Sequence, residues 1–377
     1  MRILFITNFH QLYGANRSLL SIVEKFKKEG CEVCVLLPRK GDFSRALETK
    51  GINHLIIPYF SQLFYIKFAK PYLLLPFLVF ATFCILPYII YKIRKYNPTL
   101  IYSNSCADNI GIIIAKVLKK KHITHIRDFM DLDHRAWFIF GKKAKRNYIS
   151  KSDAVIYVSK SVAYHTLMSK DIPTNHKVIY NGVSMPEMEF KVRSVPETIN
   201  FGIVGLLDES KGQDMAIRYF NKIKDDYPNA KLHIWGDKAG TYKKKLHELI
   251  EKLCLQEHVI MHGFEKDTFR IYNNMHALLM CSKAEGFGRV TVEAMMRGIP
   301  VLGYNSGGTA EIVIHGFNGY VFNTEEEFIN NVHLMFSSDD NYNTLCLNAF
   351  TDSHKRFSEE LYTNNVKDFI VDVMELQ

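Results

Sequence analysis

The chain has no internal repeat and no low-complexity tract, which rules out collagen-like and coiled-coil architectures. It lacks a disulfide framework. Its seven cysteines (31, 34, 84, 106, 254, 281 and 346) are odd in number, scattered, and in several cases set in apolar runs, the pattern of buried thiols in a reducing compartment. Cys31 and Cys34 form a lone C-x-x-C in a strand-like run with Val33 and Val35, without the second pair or the histidines a zinc site needs. The opening MRILFIT is one basic residue followed by a short β-type run, not a secretory leader, so cytosolic residence is the expectation. No G-x-G-x-x-G follows a strand, and the first turn reads Asn8-Phe-His-Gln-Leu-Tyr-Gly14, which disfavours a nicotinamide or flavin oxidoreductase. Acidic residues with metal-ligand spacing are missing from the strand ends. Asp131 and Asp133 have that spacing but lie beyond a strand, and they read as surface residues.

What is present suits two globular domains. The 377 residues are 47% hydrophobic and 23% charged, enough for two cores and too apolar for wholesale disorder. Charge is split: residues 1–185 carry 28 Lys and Arg against 11 Asp and Glu, a balance of +17, whereas 186–377 carry 20 against 28, a balance of −8. A basic half favours anionic membrane, nucleic acid or phosphorylated ligands. The basic runs Lys119–Lys121 and Lys142–Arg146 lack interleaved aromatics or a nucleic-acid motif, so no nucleic-acid partner is expected.

Apolar strands alternate with helical stretches along the whole chain. The first series has strands near Ile3–Thr7, Val33–Leu37, His54–Pro58, Leu100–Ser103, Ile123–Ile126, Ala154–Ser159 and Lys177–Tyr180. The second has Ile199–Val204, Lys231–Trp235, His258–His262, Ala277–Cys281, Pro300–Tyr304 and Gly319–Phe322. Helices fit between them at Asn16–Lys28, Gly212–Lys224, Tyr242–Leu253 and Val290–Arg297. Continuous apolar strands alternating with helices make parallel sheets covered on both faces. The expectation is an α/β chain of two Rossmann-like domains, 1–185 and 186–360, with strand ends facing a central cleft and a last helix, 361–377, crossing back to the first domain.

Tyr72–Tyr91 stands apart: 20 residues without a charge, between Lys67 and Lys70 on one side and Lys92, Arg94 and Lys95 on the other. The length would span a membrane. Pro76 and Pro87 interrupt it, both flanks are basic, and a span would separate the first βαβ unit from its sheet. An interfacial or re-entrant helix pair that anchors the basic domain fits better, with a buried core helix as the alternative.

Five strand-end loops of the second half carry glycine. The strongest is Glu285-Gly-Phe-Gly-Arg-Val-Thr-Val-Glu293, where Gly286 and Gly288 permit close backbone approach and the following helix start points amides at an anion. Glu293 falls about two turns into that helix, where a carboxylate can hold a ribose diol. Gly303-Tyr-Asn-Ser-Gly-Gly-Thr-Ala-Glu311 reads as a second anion cradle, and Gly205-Leu-Leu-Asp-Glu-Ser-Lys-Gly212 sets Lys211 at a helix start. Trp235-Gly-Asp and His262-Gly-Phe264 close two more strands. Together they describe a nucleotide-diphosphate crevice.

This pattern resembles the donor domain of the retaining, nucleotide-sugar-dependent glycosyltransferases of family four, which have the GT-B fold. The Glu–seven–Glu motif, the loop lysine and Gly-Gly-Thr-x-Glu recur in that order. In the first half Tyr13-Gly-Ala-Asn-Arg-Ser18, Tyr157-Val-Ser and Ile179-Tyr-Asn-Gly-Val183 agree, so the resemblance covers nearly the whole chain. It implies that Lys211 neutralises the donor diphosphate and that Glu285 sits by the transferred sugar. The amides around Gly286, Phe287 and Gly288, with Val290 beside them, would hold sugar hydroxyls. Glu293 would take the ribose, backbone at Gly263 and Phe264 the base, and Gly14 and Ala15 would let a helix start approach the diphosphate. Gly205 is where relatives commonly continue with arginine; here Leu206 follows, leaving Lys211 to carry the diphosphate unless Arg289 or Arg127 assists. Relatives often present a histidine at the end of a first-domain strand. His125-Ile-Arg-Asp-Phe129 offers His125 and Arg127 on one side of the strand, with a structural His125–Asp128 pair as the alternative.

The family needs no metal or cofactor, and the nucleoside-diphosphate sugar is its donor substrate. The resemblance therefore predicts transfer to a saccharide acceptor, lipid-linked at an anionic membrane surface, in capsule or lipopolysaccharide assembly, by a cytoplasmic, peripheral enzyme. A nucleotide-sugar 2-epimerase and a nucleotide-binding protein without turnover remain as alternatives.

Overall fold

Each apolar run that alternates with a helix in the sequence becomes a parallel strand in the computed structural model, which describes residues 1–61, 63–65, 75–133, 136–138, 140–186 and 188–375. The first series comprises β1 (Arg2–Ile6), β2 (Glu32–Leu37), β3 (Asn53–Ile56), β4 (Leu63–Tyr65), β5 (Leu100–Ser103), β6 (Lys121–Ile126), β7 (Ala136–Phe138), β8 (Ala154–Tyr157) and β9 (His176–Val178). Seven of these form one sheet in the order β3-β2-β1-β5-β6-β8-β9, all parallel, while β4 and β7 make a separate antiparallel pair. The second series, β10 (Asn200–Val204), β11 (Lys231–Trp235), β12 (Val259–Gly263), β13 (Ala277–Met280), β14 (Val301–Tyr304) and β15 (Gly319–Phe322), forms a six-stranded parallel sheet ordered β12-β11-β10-β13-β14-β15. These are two Rossmann-like parallel α/β sheets.

The chain divides into two compact units, Met1–Gly182 with Glu359–Gln377, and Val183–Ser358. In the first, side-chain alternation along β1 decides which core each residue joins. Ile3 and Phe5 pack with helix Gly14–Lys28 and, from the end of the chain, Tyr362, Val366 and Ile370. Leu4 and Ile6 face the other way, onto Ile89, Ile93, Ile101, Ile110 and Ile114. Both faces are covered, so β1 and β2 are apolar from their second residue on. The last helix, Glu359–Glu375, thus belongs to the first unit; Ser358, extended at φ −62° and ψ 147°, breaks it from helix Asp339–Phe357 of the second. The second unit closes around Phe201, Ile203, Leu232, Ile234, Phe220, Phe322, Phe328 and Tyr342.

The charge-free stretch differs from the expected helix pair. Residues 72–74 lie outside the described residues, and the remainder belongs to a single helix, Leu75–Tyr96. Pro76 falls in its first turn, where no N–H donor is needed. Pro87 lies inside it and costs one helical bond. Burial of Ile89 and Ile93, with Ile85, Leu86 and Ile90 packed beside them, holds the helix together across the proline. Among the described residues no helix is long and apolar enough to cross a membrane.

Two surface readings also need correction. Lys145, within the basic run, is buried, its ammonium donating to the carbonyl of Asp108 and to Asn109 Oδ1, both at 3.2 Å. Asp131 is not a free surface carboxylate but a half-buried partner of Lys142 (2.5 Å) and His165 (2.8 Å). Asp133 accepts from the backbone of Phe129 at 3.0 Å.

Candidate active site

In the second unit the ends of β10, β11, β13 and β14 are drawn together by glycine. Gly236, after β11, has φ +140°, and a Cβ there would lie 1.8 Å from the Gly205 carbonyl oxygen, so the two loops touch backbone to backbone. Gly307, after β14, has φ +58°, and a Cβ there would lie 2.5 Å from the Glu285 carbonyl oxygen. Its neighbour Gly308 donates its N–H to that same carbonyl at 2.7 Å. The glycine pair expected to be a second anion cradle therefore serves another purpose. It lets the β14 loop pack on the β13 loop and fix Glu285, and only a short helical turn, Thr309–Ile312, follows it.

Lys211 and Glu285 are what these loops present. Lys211 ends a 3-10 turn, Glu209–Lys211, just ahead of helix Gln213–Ile223. Its ammonium donates to Glu285 Oε2 at 2.7 Å, with side chains 32% and 17% exposed, so the pair is shielded yet reachable. Beside it, burial alone would raise the Asp208 carboxyl, but Lys238 at 2.6 Å and the Ser210 N–H outweigh burial and hold it well below the usual carboxylate range. Leu206, two residues beyond β10, is exposed.

Glu293 sits in helix Arg289–Met295 and is held more firmly than the sequence suggested. Tyr272 donates its hydroxyl to Glu293 Oε2 at 3.1 Å, and Arg289 Nη2 lies 3.8 Å from Oε1. Arg297 donates to the Glu293 carbonyl at 2.7 Å and stacks over the Tyr272 ring at 4.6 Å. Burial pushes the Tyr272 hydroxyl well above its ordinary pKa, so it remains a donor to the carboxylate. The sequence signal for Arg289 and Arg297 was their spacing of four residues on either side of Glu293 along one helical face; Tyr272 gave none. Gly286, Phe287 and Gly288 are buried, and the Phe287 ring packs inward on Phe357 at 5.7 Å. Val290 is half-buried at the start of the helix.

Gly263 ends β12, and its carbonyl accepts from Gly236 N–H at 2.7 Å, while Phe264 stands 66% exposed. Next to them is a recess of about 210 Å³ lined by Trp235, His262, His233, Arg270 and Asn274, among others. Trp235 and His262 stack with ring centroids 3.7 Å apart and planes 7° from parallel, and His233 Nδ1 lies 2.8 Å from His262 Nε2. The sequence marked Trp235 and His262 only as strand ends; their stacking follows from the parallel pairing of β11 with β12.

In the first unit, Gly14 and Ala15 open helix Gly14–Lys28. The loop before it is tied by Asn16, which accepts from Thr7 Oγ1 at 2.8 Å and donates to the carbonyls of Phe9 and Gln11 at 2.9 and 2.7 Å. His125 is fully buried, its Nδ1 meeting the Tyr102 hydroxyl rather than Asp128, and burial together with Arg127 drives its pKa well below that of a free imidazole. Arg127, only 6% exposed, donates to Asn104 Oδ1 and Asn181 Oδ1 at 2.7 Å and to Tyr362 Oη at 2.9 Å, joining the end of β6 to the last helix. Both side chains expected to face the transferred sugar are thus enclosed. Alternation along β6 does put them on one side, but that side faces the unit's own polar interior. Among the described residues no cluster of three or more His, Cys, Asp or Glu could hold a metal ion.

Comparison with known proteins agrees with this architecture. The family model described as Glycosyltransferase Family 4 matches residues 13–185, and that described as Glycosyl transferases group 1 matches 184–350. An uncharacterized glycosyltransferase of Methanocaldococcus jannaschii, MJ1607, is 35% identical over 45% of this chain and 46% of its own. The lipopolysaccharide 1,6-galactosyltransferase of Escherichia coli K12 is 23% identical over 61% of this chain and 63% of its own. The chain therefore matches less than two thirds of the length of either curated relative. Among solved structures, the Anabaena protein HepE in complex with UDP superposes with a TM-score of 0.80 at 22% identity, over 99% of this chain and 100% of that one. The chain belongs to the family 4 type of GT-B glycosyltransferases.

Proposed function

We propose that this protein moves a sugar from a nucleoside-diphosphate sugar, with UDP or GDP as the nucleotide, to a saccharide acceptor, keeping the anomeric configuration and using no metal or other cofactor. The carrying observation is the Lys211–Glu285 ion pair, 2.7 Å long and set where glycine lets four strand ends converge. An incoming diphosphate competes with Glu285 for Lys211, and a preorganised cation where negative charge develops on the leaving group is worth most in such a shielded site. Released from Lys211, Glu285 turns to the sugar, and the backbone of Gly286–Gly288 holds its hydroxyls. Glu293, braced by Tyr272 and Arg297, takes the ribose diol. The backbone at Gly263 and Phe264 meets the base. We assign His125 and Arg127 to positioning the end of β6, because both are enclosed.

HepE was crystallised with UDP and also with UDP-glucose, and the Escherichia coli relative acts on lipopolysaccharide, which supports a sugar-nucleotide donor and an envelope polysaccharide acceptor. The basic first unit then suits a lipid-linked saccharide held at an anionic membrane, with the protein peripheral on the cytoplasmic side. Thermal shift against UDP, GDP, ADP and NAD tests the donor site. A diphosphate at about a hundred times its dissociation constant adds about 2.7 kcal/mol, and Glu293→Ala weakens that gain. Stabilisation by NAD alone sinks the proposal. Leu206, exposed where relatives place arginine, favours as a second reading a binding protein without turnover. Glu285→Ala abolishing transfer while nucleotide still binds excludes it.

A further inference from the structure

The helix Leu75–Tyr96 buries only one side. Ile89 and Ile93 are fully enclosed, whereas Phe77, Phe80, Phe83, Tyr88 and Tyr91 are 68, 64, 72, 50 and 63% exposed. Their spacing of three to five residues lines them along the outer face, and the stripe ends in exposed Arg94 and Lys95, with Lys92 Nζ 5.4 Å from the Tyr88 ring centroid. Single exposed apolar residues are ordinary, but five aromatics in one row are not. No Asp or Glu occurs between Glu48 and Asp108, so nothing acidic in this part of the sequence offsets the basic end.

We infer that this stripe docks the first unit on an anionic lipid bilayer, lying in the plane of the headgroups with its aromatic rings at the acyl boundary and Arg94 and Lys95 against lipid phosphates. The inference deepens the membrane reading above; it relies on that reading for its purpose and on the helix alone for its geometry. Aromatic side chains favour that depth, and a helix with an apolar face and basic residues beside it binds the interface by area and charge together. A second copy of the chain is the poorer occupant. A two-fold contact sets the same patch against itself, and that patch offers no carboxylate to the other copy's Arg94 and Lys95.

Co-sedimentation of the full chain with vesicles of phosphatidylcholine, and of equal parts phosphatidylcholine and phosphatidylglycerol, tests this. Binding to the anionic vesicles should fall at least about tenfold in Phe77→Ser/Phe80→Ser/Phe83→Ser, and about fivefold for each charge removed in Arg94→Gln/Lys95→Gln, most visibly at low salt. All are exposed positions, and a Phe80→Trp reporter, whose emission should shift to the blue only on anionic vesicles, reads the contact in an otherwise intact protein. Unchanged partitioning of the triple serine variant, a silent reporter, or a dimer in light scattering that the serine variant dissolves would each overturn the inference. Thermal shift with UDP and GDP on the same samples separates the two readings: vesicle binding without nucleotide binding sinks the transferase and leaves the docking face standing.

Discussion

The two units treat charge at their strand ends in opposite ways. In the second unit Lys211 and Glu285 meet as an ion pair that a ligand can reach and open. In the first, Arg127 and His125 are enclosed and bonded to Asn104, Asn181, Tyr362 and Tyr102, with Arg127 Nη2 and His125 Nε2 left unpaired among the described residues, and Arg127 fastens β6 to the last helix. A pair that solvent can reach costs less to separate than an enclosed one, because water replaces the lost partner. An enclosed cation has no such substitute, and its partners become orphaned polar groups if it is removed. On the proposed reading, similar chemistry on the same kind of sheet serves the donor in one place and a structural clasp in the other.

The largest expected effect tests that contrast from the active side. Lys211→Ala should lower kcat about 10²- to 10³-fold with sugar-nucleotide donor, the usual loss for one preorganised stabilising group, while the melting temperature stays near that of the parent. Arg127→Met tests the other side. It leaves two amide oxygens and a hydroxyl in the interior without their donor, so about 3 kcal/mol of stability should be lost, measured by denaturant titration. If Arg127→Met instead removes activity from a fully stable protein, the residue touches substrate and the contrast fails.

Buried histidines extend the comparison to pH. His122, bracketed by Ser103 Oγ at 2.9 Å and Ser152 Oγ at 3.1 Å, is pushed down to about 3 by burial. His125 is likewise held well below an ordinary imidazole. The unfolded chain takes up protons below about pH 6.5 that these folded rings refuse, so their stabilising effect is complete above that pH and declines as pH falls towards 3. Each contributes up to about 1.4 kcal/mol per pH unit in that window. In the second unit His233 and His276 are partly open to solvent and are lowered only to about 4, by burial first and neighbouring cations and histidines after, so their window closes about one pH unit higher than that of His122. Denaturation of His122→Asn and His276→Asn from about pH 7.5 down to 3 separates the two: the difference from the parent should level off below about pH 4 for His276 and go on growing towards pH 3 for His122, and a common end point would show that burial does not divide the units in this way.

Much of this was legible in the sequence because the signals were local. Apolar runs of strand length separated by helical stretches gave both parallel sheets, and a lysine, a glutamate and glycines at fixed spacings marked the loops that converge in the second unit. What escaped was set by contacts distant in sequence. Tyr102 meets His125 across adjacent strands, and Tyr362 reaches Arg127 from 235 residues away, so nothing beside His125 or Arg127 announced that they would be sealed in. The Gly307–Gly308 pair looked like an anion cradle because glycine serves close approach to phosphate and close approach to another loop equally well. The charge-free helix misled in the same way: its prolines implied a break, but the buried isoleucines beyond Pro87 outweighed the lost hydrogen bond.

The smallest predicted effect is the most discriminating, because Tyr272 combines the two behaviours. It lies in the second unit yet is as enclosed as Arg127, and its one polar atom is spent on Glu293. If its part is to hold the carboxylate that takes the ribose, Tyr272→Phe should raise KM for donor about fivefold, about 1 kcal/mol, and leave kcat unchanged, since the ribose is bound alike in ground and transition states. Stability should move little: the phenyl ring keeps its place under Arg297, and the Glu293 side chain, 12% exposed, can recruit water for the lost hydroxyl. A fall in melting temperature like that of Arg127→Met, with KM unmoved, would make Tyr272 part of the scaffold. The division between clasp and active site would then follow depth below the surface, not the unit in which a residue lies.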